Sequence, residues 1–275
     1  LNILGGYTGQ TSMGQAGFFA IGTYVTALLM MNLDMSFFLA IVIGTIVTGL
    51  FGFIISIPAM KLNGPYLVLA TVGFGEIVRL VLINWTPVTR GAAGLTGIPY
   101  PELFGLRIYR EQQFFYLILA FVVLAVYVAS RIAHSKIGRT MRAVRDDEIA
   151  AAAMGVNINR YKTAAFIIGA MLAGMAGGLM GAFSGVTSPD TFTFDESVSY
   201  LCMSVIGGNT TIIGGILGAF LLTFLSEGLR FLQDARLIIY GLILVLTVIY
   251  MPNGLVGLAV MLRQKFRARR AAARG

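Results

Sequence analysis

Charge is what this 275-residue chain has least of. Only 12% of its residues are Asp, Glu, Lys or Arg, against roughly 25% in an average globular domain. A water-soluble core of this size needs far more polar surface, so a soluble domain is excluded. Cysteine is nearly absent: Cys202 stands alone, which rules out a disulfide framework and a CxxC metal site. In its apolar run it reads as a small packed hydrophobe. His134 is single too, so neither HExxH nor a Cys–His pair exists, and no two carboxylates are spaced as a catalytic acid and base. No lysine follows a glycine and no GxxxxGK[ST] occurs, so the chain holds no P-loop for nucleotide. Nothing at the start resembles a signal peptide. Leu1 is compatible with an internal residue of a longer chain, with a further apolar segment before it.

What is present is long apolar runs; 57% of the residues are hydrophobic. A spanning helix needs roughly 20 mainly apolar residues. Candidate spans are Ala16–Met31, Ser36–Pro58, Pro65–Asn84, Phe114–Ala133, Tyr161–Phe183, Val198–Gly208, Ile212–Leu229 and Leu237–Met251. The expected fold is an all-α polytopic transmembrane helix bundle: a membrane domain over residues 1–262 and a basic tail over 263–275.

The net charge of +8 is a topology signal, not a nucleic-acid patch. Placing the loop 135–162 and the tail on the cytoplasmic side puts 14 Lys and Arg inside and 5 outside, as the positive-inside rule requires. Parity then makes Val198–Leu229 begin and end outside. Its two segments must turn around residues 207–215, either as two crossings or as a re-entrant hairpin. Non-helical backbone at membrane depth survives only against protein or water, so Asn209, Thr210 and Thr211 are candidates for a solute path; a plain tight turn at the surface is the alternative. The opening stretch, with Gln10 and Gln15, is Gly-rich and polar beside a span, and reads as a broken helix or a surface loop.

Small residues recur every four positions at Ala40, Gly44, Thr48, Gly52 and Ser56, and again at Ala170, Gly174 and Gly178. That spacing lets helix backbones approach closely in lipid. Glu76 and Arg79 lie three apart inside the third span, on one helical face. A charge there faces protein or water. The pair is either a polar point on a solute path or a self-compensating clamp between helices. Glu227 and Arg230 form a similar pair near the outer end of their span.

The polar run from Ser135 to Lys162 is the most informative stretch. It carries Lys136, Arg139, Arg142, Arg145, Arg160 and Lys162 against Asp146, Asp147 and Glu148. Asp146 or Asp147 can cap a helix start, Ala150 to Ala153 are strong helix formers, and Gly155 supplies a left-handed stop. Asn157 or Asn159 can cap the next helix. Residues 147–154 then make a rod about 12 Å long. A loop that only connects needs no such rod, so a handle for a soluble partner is expected, with a merely solvated basic loop as the alternative.

The segment Glu148-Ile149-Ala150-Ala151-Ala152-Ala153-Met154-Gly155 resembles the cytoplasmic Glu-Ala-Ala-x-x-x-Gly coupling loop of ABC-importer permeases. Ala150 and Ala151 hold the alanine positions before Gly155; Ile149 holds the glutamate position, with Glu148 one residue early. The stretches GPYLVLATVGFGEIVRL, SPDTFTF, VIGGNTTIIGGILGAF and IYMPNGLVGL are similar to the branched-chain amino acid permease family, over residues 1 to about 258. The resemblance implies a bacterial cytoplasmic membrane location with the C-terminus inside. It implies a second, different permease, two ATPase subunits and an external solute-binding protein as partners, and the lipid bilayer but no nucleic acid. No cofactor would be bound here; ATP and Mg would sit on the partner subunits. Arg139, Arg142 and Arg145 would steer or pin the rod on the ATPase, or serve as positive-inside anchors. The solute that the resemblance implies is a branched-chain amino acid, with urea, short amides or aromatic acids as alternatives. A secondary transporter would want an inverted repeat and ion-coupling carboxylates; no clear repeat occurs.

Overall fold

A computed structural model describes residues 1–62, 64–103 and 106–228, together with residues 241, 254 and 257. The expected span Leu237–Met251, Arg230 and the basic tail lie outside the described residues.

Four helices among the described residues are long and apolar enough to cross a membrane: α3 (Phe37–Ala59), α4 (Pro65–Asn84), α6 (Glu111–His134) and α9 (Ile158–Ser184). At 27 residues, α9 is about 40 Å long. α9 begins earlier than the expected Tyr161 because the Asn157 side chain accepts a hydrogen bond from the Arg160 amide, 3.1 Å, and starts the helix ahead of the apolar run.

Helix α2 (Gln15–Asn32) lies at the centre. Ala16, Phe18, Ala20, Tyr24 and Ala27 are all buried in it, against α3 and α9. The small-residue rows carry this packing. Ala40, Gly44, Thr48, Gly52 and Ser56 are every one buried. A Cβ at position 22 would stand 2.1 Å from the Gly174 carbonyl oxygen, closer than any side chain permits, so only glycine lets α2 and α9 meet there. Backbone contact of this kind replaces the missing hydrophobic drive between helices in lipid. α6 is the opposite case. Only Phe114, Ala129 and Ala133 are buried, Leu117 and Phe121 pack partly inward, and Phe115, Tyr116, Val123 and Tyr127 face outward.

The opening stretch is a broken helix. α1 (Asn2–Thr8) ends at Gly9 in the left-handed conformation, φ 70°, and α2 restarts at Gln15. Gln10, Ser12 and Gln15 between and beside them are buried, so a surface loop is excluded. The second break lies between α10 (Phe194–Gly207) and α11 (Ile212–Gly228), bent by 120°. α10 starts before the expected Val198 because Asp195 and Glu196 occupy its first turn, where the helix dipole favours acidic groups. Its 14 residues reach about 21 Å, short of a hydrocarbon core of roughly 30 Å.

At one end of the bundle, the chain after α4 forms the short helix α5 (Thr86–Thr89) and strand β1 (Leu95–Thr96), with β2 (Glu102–Leu103) and β3 (Leu106–Arg107) as a small antiparallel pair. β1 pairs antiparallel with β4 (Val186–Thr187), after α9. At the other end lie α7 (Lys136–Asp146) and α8 (Glu148–Ala153). The expected polar loop is therefore two helices, not one rod. α7 escaped the sequence reading because its apolar face is only Gly138, Met141 and Val144, all buried, among four basic side chains.

Candidate coupling helix and polar seam

Ser135 makes the sharp turn out of α6. Its hydroxyl donates to the Ile132 carbonyl, 2.7 Å, and accepts from the Gly138 amide, 3.3 Å. α7 can then lay Met141 and Val144 against the bundle, both fully buried. Asp147 breaks the helix with extended backbone, φ −158°, and caps the next. Its Oδ1 accepts from the Ile149 and Ala150 amides at 2.9 and 3.0 Å. α8 stops in a Schellman arrangement: the Gly155 amide donates to Ala152 and the Val156 amide to Ala151, with Gly155 at φ +81°. Every turn of this module is locally specified.

Two contacts fasten α8 to the bundle. Ala151 is buried. The Lys162 ammonium, on a side chain only 8% exposed, lies 2.6 Å from the Glu148 carboxylate. Such a charge-assisted bond contributes about 1.5–3 kcal/mol, towards the low end because Glu148 is half exposed. Ala150 and Gly155 stay exposed. The outer side of the rod carries Ile149 and Met154, 84% and 85% exposed.

The three arginines singled out in α7 all bond within this chain. Arg139 donates to the His134 carbonyl, 3.0 Å. Arg142 donates to the Ala133 carbonyl, 3.1 Å, and stands 5.7 Å over the Tyr7 ring. Arg145 donates to the Gly6 carbonyl of α1, 2.6 Å, and pairs with Asp146, 2.7 Å. Arg139 and Arg142 thus satisfy the end of α6, and Arg145 ties α7 to the broken helix.

A polar seam runs along α4. Near its start is a cavity of about 790 Å³, lined by Thr8, Gln10, Glu148 and Lys162 among others. Further along, the Thr71 hydroxyl accepts from the Met13 amide, 3.0 Å, and the Ser197 hydroxyl accepts from the Ala16 amide, 3.1 Å. Both supply partners for the backbone broken between α1 and α2. Gln15 lies buried beside them. Beyond, Arg79 grips Glu76 at 2.7–3.1 Å and reaches Asp190 at 3.4 Å. Asn209, Thr210 and Thr211 belong to a different cluster, the α10–α11 turn. The Asn2 amide donates to the Thr211 carbonyl, 2.7 Å, the Ser204 hydroxyl lies 3.0 Å from Asn209, and the Thr211 hydroxyl caps α11 at the Gly214 amide, 3.1 Å. Thr210 is exposed.

The family model described as branched-chain amino acid transport system / permease component matches residues 1–248. The chain belongs to this permease family. The permease is 36% identical to the high-affinity branched-chain amino acid transport system permease protein LivM of Escherichia coli K12, over 100% of this chain and 69% of that protein. It is 36% identical to LivM of Salmonella typhimurium, over 93% of this chain and 65% of that protein. The chain thus spans about two thirds of the LivM length. The permease protein LivH of Escherichia coli K12 is 27% identical over 92% of this chain and 87% of LivH. No solved structure matches the permease.

Sequence reasoning missed Ile149, Met154, the Glu148–Lys162 pair and Asp190. For the first two a signal was available: large apolar residues flank the alanines of a polar loop. For the pairs there was none, because partners 14 and 111 positions apart share no periodicity.

Proposed function

We propose that the permease is one of two different membrane subunits of an ATP-driven importer of branched-chain amino acids. It sits in a bacterial cytoplasmic membrane, with α7, α8 and the C-terminus on the cytoplasmic side. Its partners are the second permease, two ATPase subunits that hold ATP and magnesium, and an external solute-binding protein. Closure of the ATPase pair drags α8, and the bundle changes from inward- to outward-facing, a two-state switch biased by contacts that differ between the states. Gln10, Gln15, Glu76 and Arg79 lie along the path, and Asn209 to Thr211 brace the hairpin turn.

The observation that carries this reading is α8: a helix capped at both ends, ion-paired to the bundle through Lys162, and presenting Ile149 and Met154 outward. A handle must be stiff, attached and graspable, and these features supply each property in turn. The test is solute-stimulated ATP hydrolysis by the complete reconstituted importer. Ile149→Asp with Met154→Asp is expected to lower stimulation roughly tenfold or more while membrane insertion stays normal. Undiminished stimulation would sink the reading.

A second solute reading is favoured by one relative. The autoinducer 2 import system permease protein LsrC of Klebsiella pneumoniae is 31% identical over 57% of this chain, so another small solute can be carried on this scaffold. Uptake of labelled leucine, isoleucine and valine, set against urea and that autoinducer, separates the two.

A further inference from the structure

The cavity beneath α8 joins features that no bundle interior needs together. It lies where three breaks converge: the end of α1, the start of α4 and the start of α8. Its volume of about 790 Å³ falls within the usual range for small-molecule sites, roughly 300–1,000 Å³. Its polar wall holds both signs of charge, the buried Lys162 ammonium and the Glu148 carboxylate, 2.6 Å apart. Gln10, 5% exposed, faces the same space and keeps its amide oxygen 3.2 Å from the Thr8 hydroxyl. The remaining wall is apolar, with Leu62, Leu67 and Val68. The N-terminal end of α4 adjoins it. Gly64, in the cap position, has no side chain to occupy the first-turn amides, which favours a carboxylate nearby.

We infer that this cavity is a binding site for a free zwitterionic amino acid with an aliphatic side chain, set at the joint between the handle and the bundle. This inference rests on the importer reading above. The ligand's carboxylate lies against Lys162 and the start of α4, its ammonium against Glu148 and the Gln10 amide oxygen, and its side chain against Leu62, Leu67 and Val68.

The physical reason for a zwitterion is the buried lysine. Parting Glu148 from Lys162 leaves a buried ammonium unpaired, which is strongly unfavourable. An ammonium alone strands the buried Lys162, whereas a carboxylate alone leaves the half-exposed Glu148 to solvent at a smaller cost. Only a molecule carrying both charges replaces the pair on both sides. Occupancy therefore replaces the direct 2.6 Å contact between α8 and α9 by a longer one through the ligand, and moves α8 off its seat. By linkage, an α8 held in place by the ATPase in turn alters affinity for the ligand. The consequence is product inhibition from the cytoplasmic side: imported amino acid wedged into the joint displaces the handle that drives import.

The test uses the complete importer in nanodiscs without the solute-binding protein. Binding of labelled L-leucine and the rate of ATP hydrolysis are both measured. Saturable binding with a parallel fall in hydrolysis is expected, with isoamylamine and urea weaker by roughly tenfold or more and isovalerate weaker by a smaller factor. Lys162→Gln and, independently, Gln10→Leu should each raise the half-saturating leucine concentration by a similar factor. Absent binding, equal effect of the singly charged analogues, or unchanged affinity in both variants overturns the inference. A phosphatidylethanolamine headgroup offers the same paired charges. Leucine binding that appears only in discs lacking that lipid would assign the site to the headgroup and likewise overturn it. Leucine uptake with the binding protein present is scored separately: uptake without site binding removes this inference alone, and absent uptake removes the importer reading.

Discussion

The α7–α8 module and the two mid-bundle breaks are both interruptions of helix, yet they are built in opposite ways. In the module each turn is closed by a neighbour in sequence. Ser135 caps three residues on, Asp147 caps two and three residues on, and Asn157 caps three residues on. In the breaks at residues 9–14 and 208–211 local bonds such as Thr211 to the Gly214 amide are joined by distant partners. The Met13 amide goes to Thr71, the Ala16 amide to Ser197, and the Thr211 carbonyl to Asn2. Where water is available a helix can end by itself. Inside a membrane a freed backbone group must find protein, so a break there is a tertiary event. The comparison separates an element that can move as a unit from elements that can move only if their partners move.

Four substitutions sharpen that contrast, in descending size. Gly22→Leu places a side chain into the Gly174 backbone, where a Cβ already stands 2.1 Å from oxygen. Overpacking typically costs 1–3 kcal/mol and here, against backbone, about 3 or more. The expected outcome is loss of the monodisperse purified protein on size-exclusion chromatography; a normal elution profile and melting temperature would contradict the close approach. Glu148→Ala leaves Lys162 buried and unpaired, at about 2–3 kcal/mol after allowance for the half-exposed carboxylate. Faster amide exchange should follow across residues 149–154, with the bundle protected. Spread of that change into α3 would show that α8 is not a separable unit.

Asn2→Ala removes the bonds to the 208–211 turn, about 1–2 kcal/mol. Its signature differs from that of Glu148→Ala: exchange should rise at positions remote in sequence, the ends of α10 and α11, and not only near residue 2. A purely local response would mean the hairpin turn supports itself. Asp147→Ala deletes one cap, about 1 kcal/mol. Exchange should rise at Ile149 and Ala150 and nowhere else, and an effect beyond α8 would erase the distinction between the two regions.

Legibility in the sequence followed the same division. The short helix and its stop at Gly155 could be read directly, and its caps narrowed to Asp146 or Asp147 and Asn157 or Asn159, because capping chemistry acts within three residues. The small-residue rows in α3 and α9 could be read as packing faces because the helical period carries them. That Arg139, Arg142 and Arg145 bond to carbonyls of α6 and α1 could not. A basic side chain on a solvated face and one folded back on a helix end have the same local sequence. The alternatives left open for Gln10 and Gln15, surface loop or broken helix, closed only when Thr71 and Ser197 were seen to accept from that backbone.

The sequence by itself determined that this chain is a bundle of apolar helices with a capped short helix at one end, since composition, period and caps are local quantities. Only the tertiary structure decided which polar groups satisfy the broken backbone, that Lys162 fastens the short helix through Glu148, and that Ile149 and Met154 are left outward. Those outcomes depend on which distant segments meet, and burial makes such meetings specific only after the helices have packed.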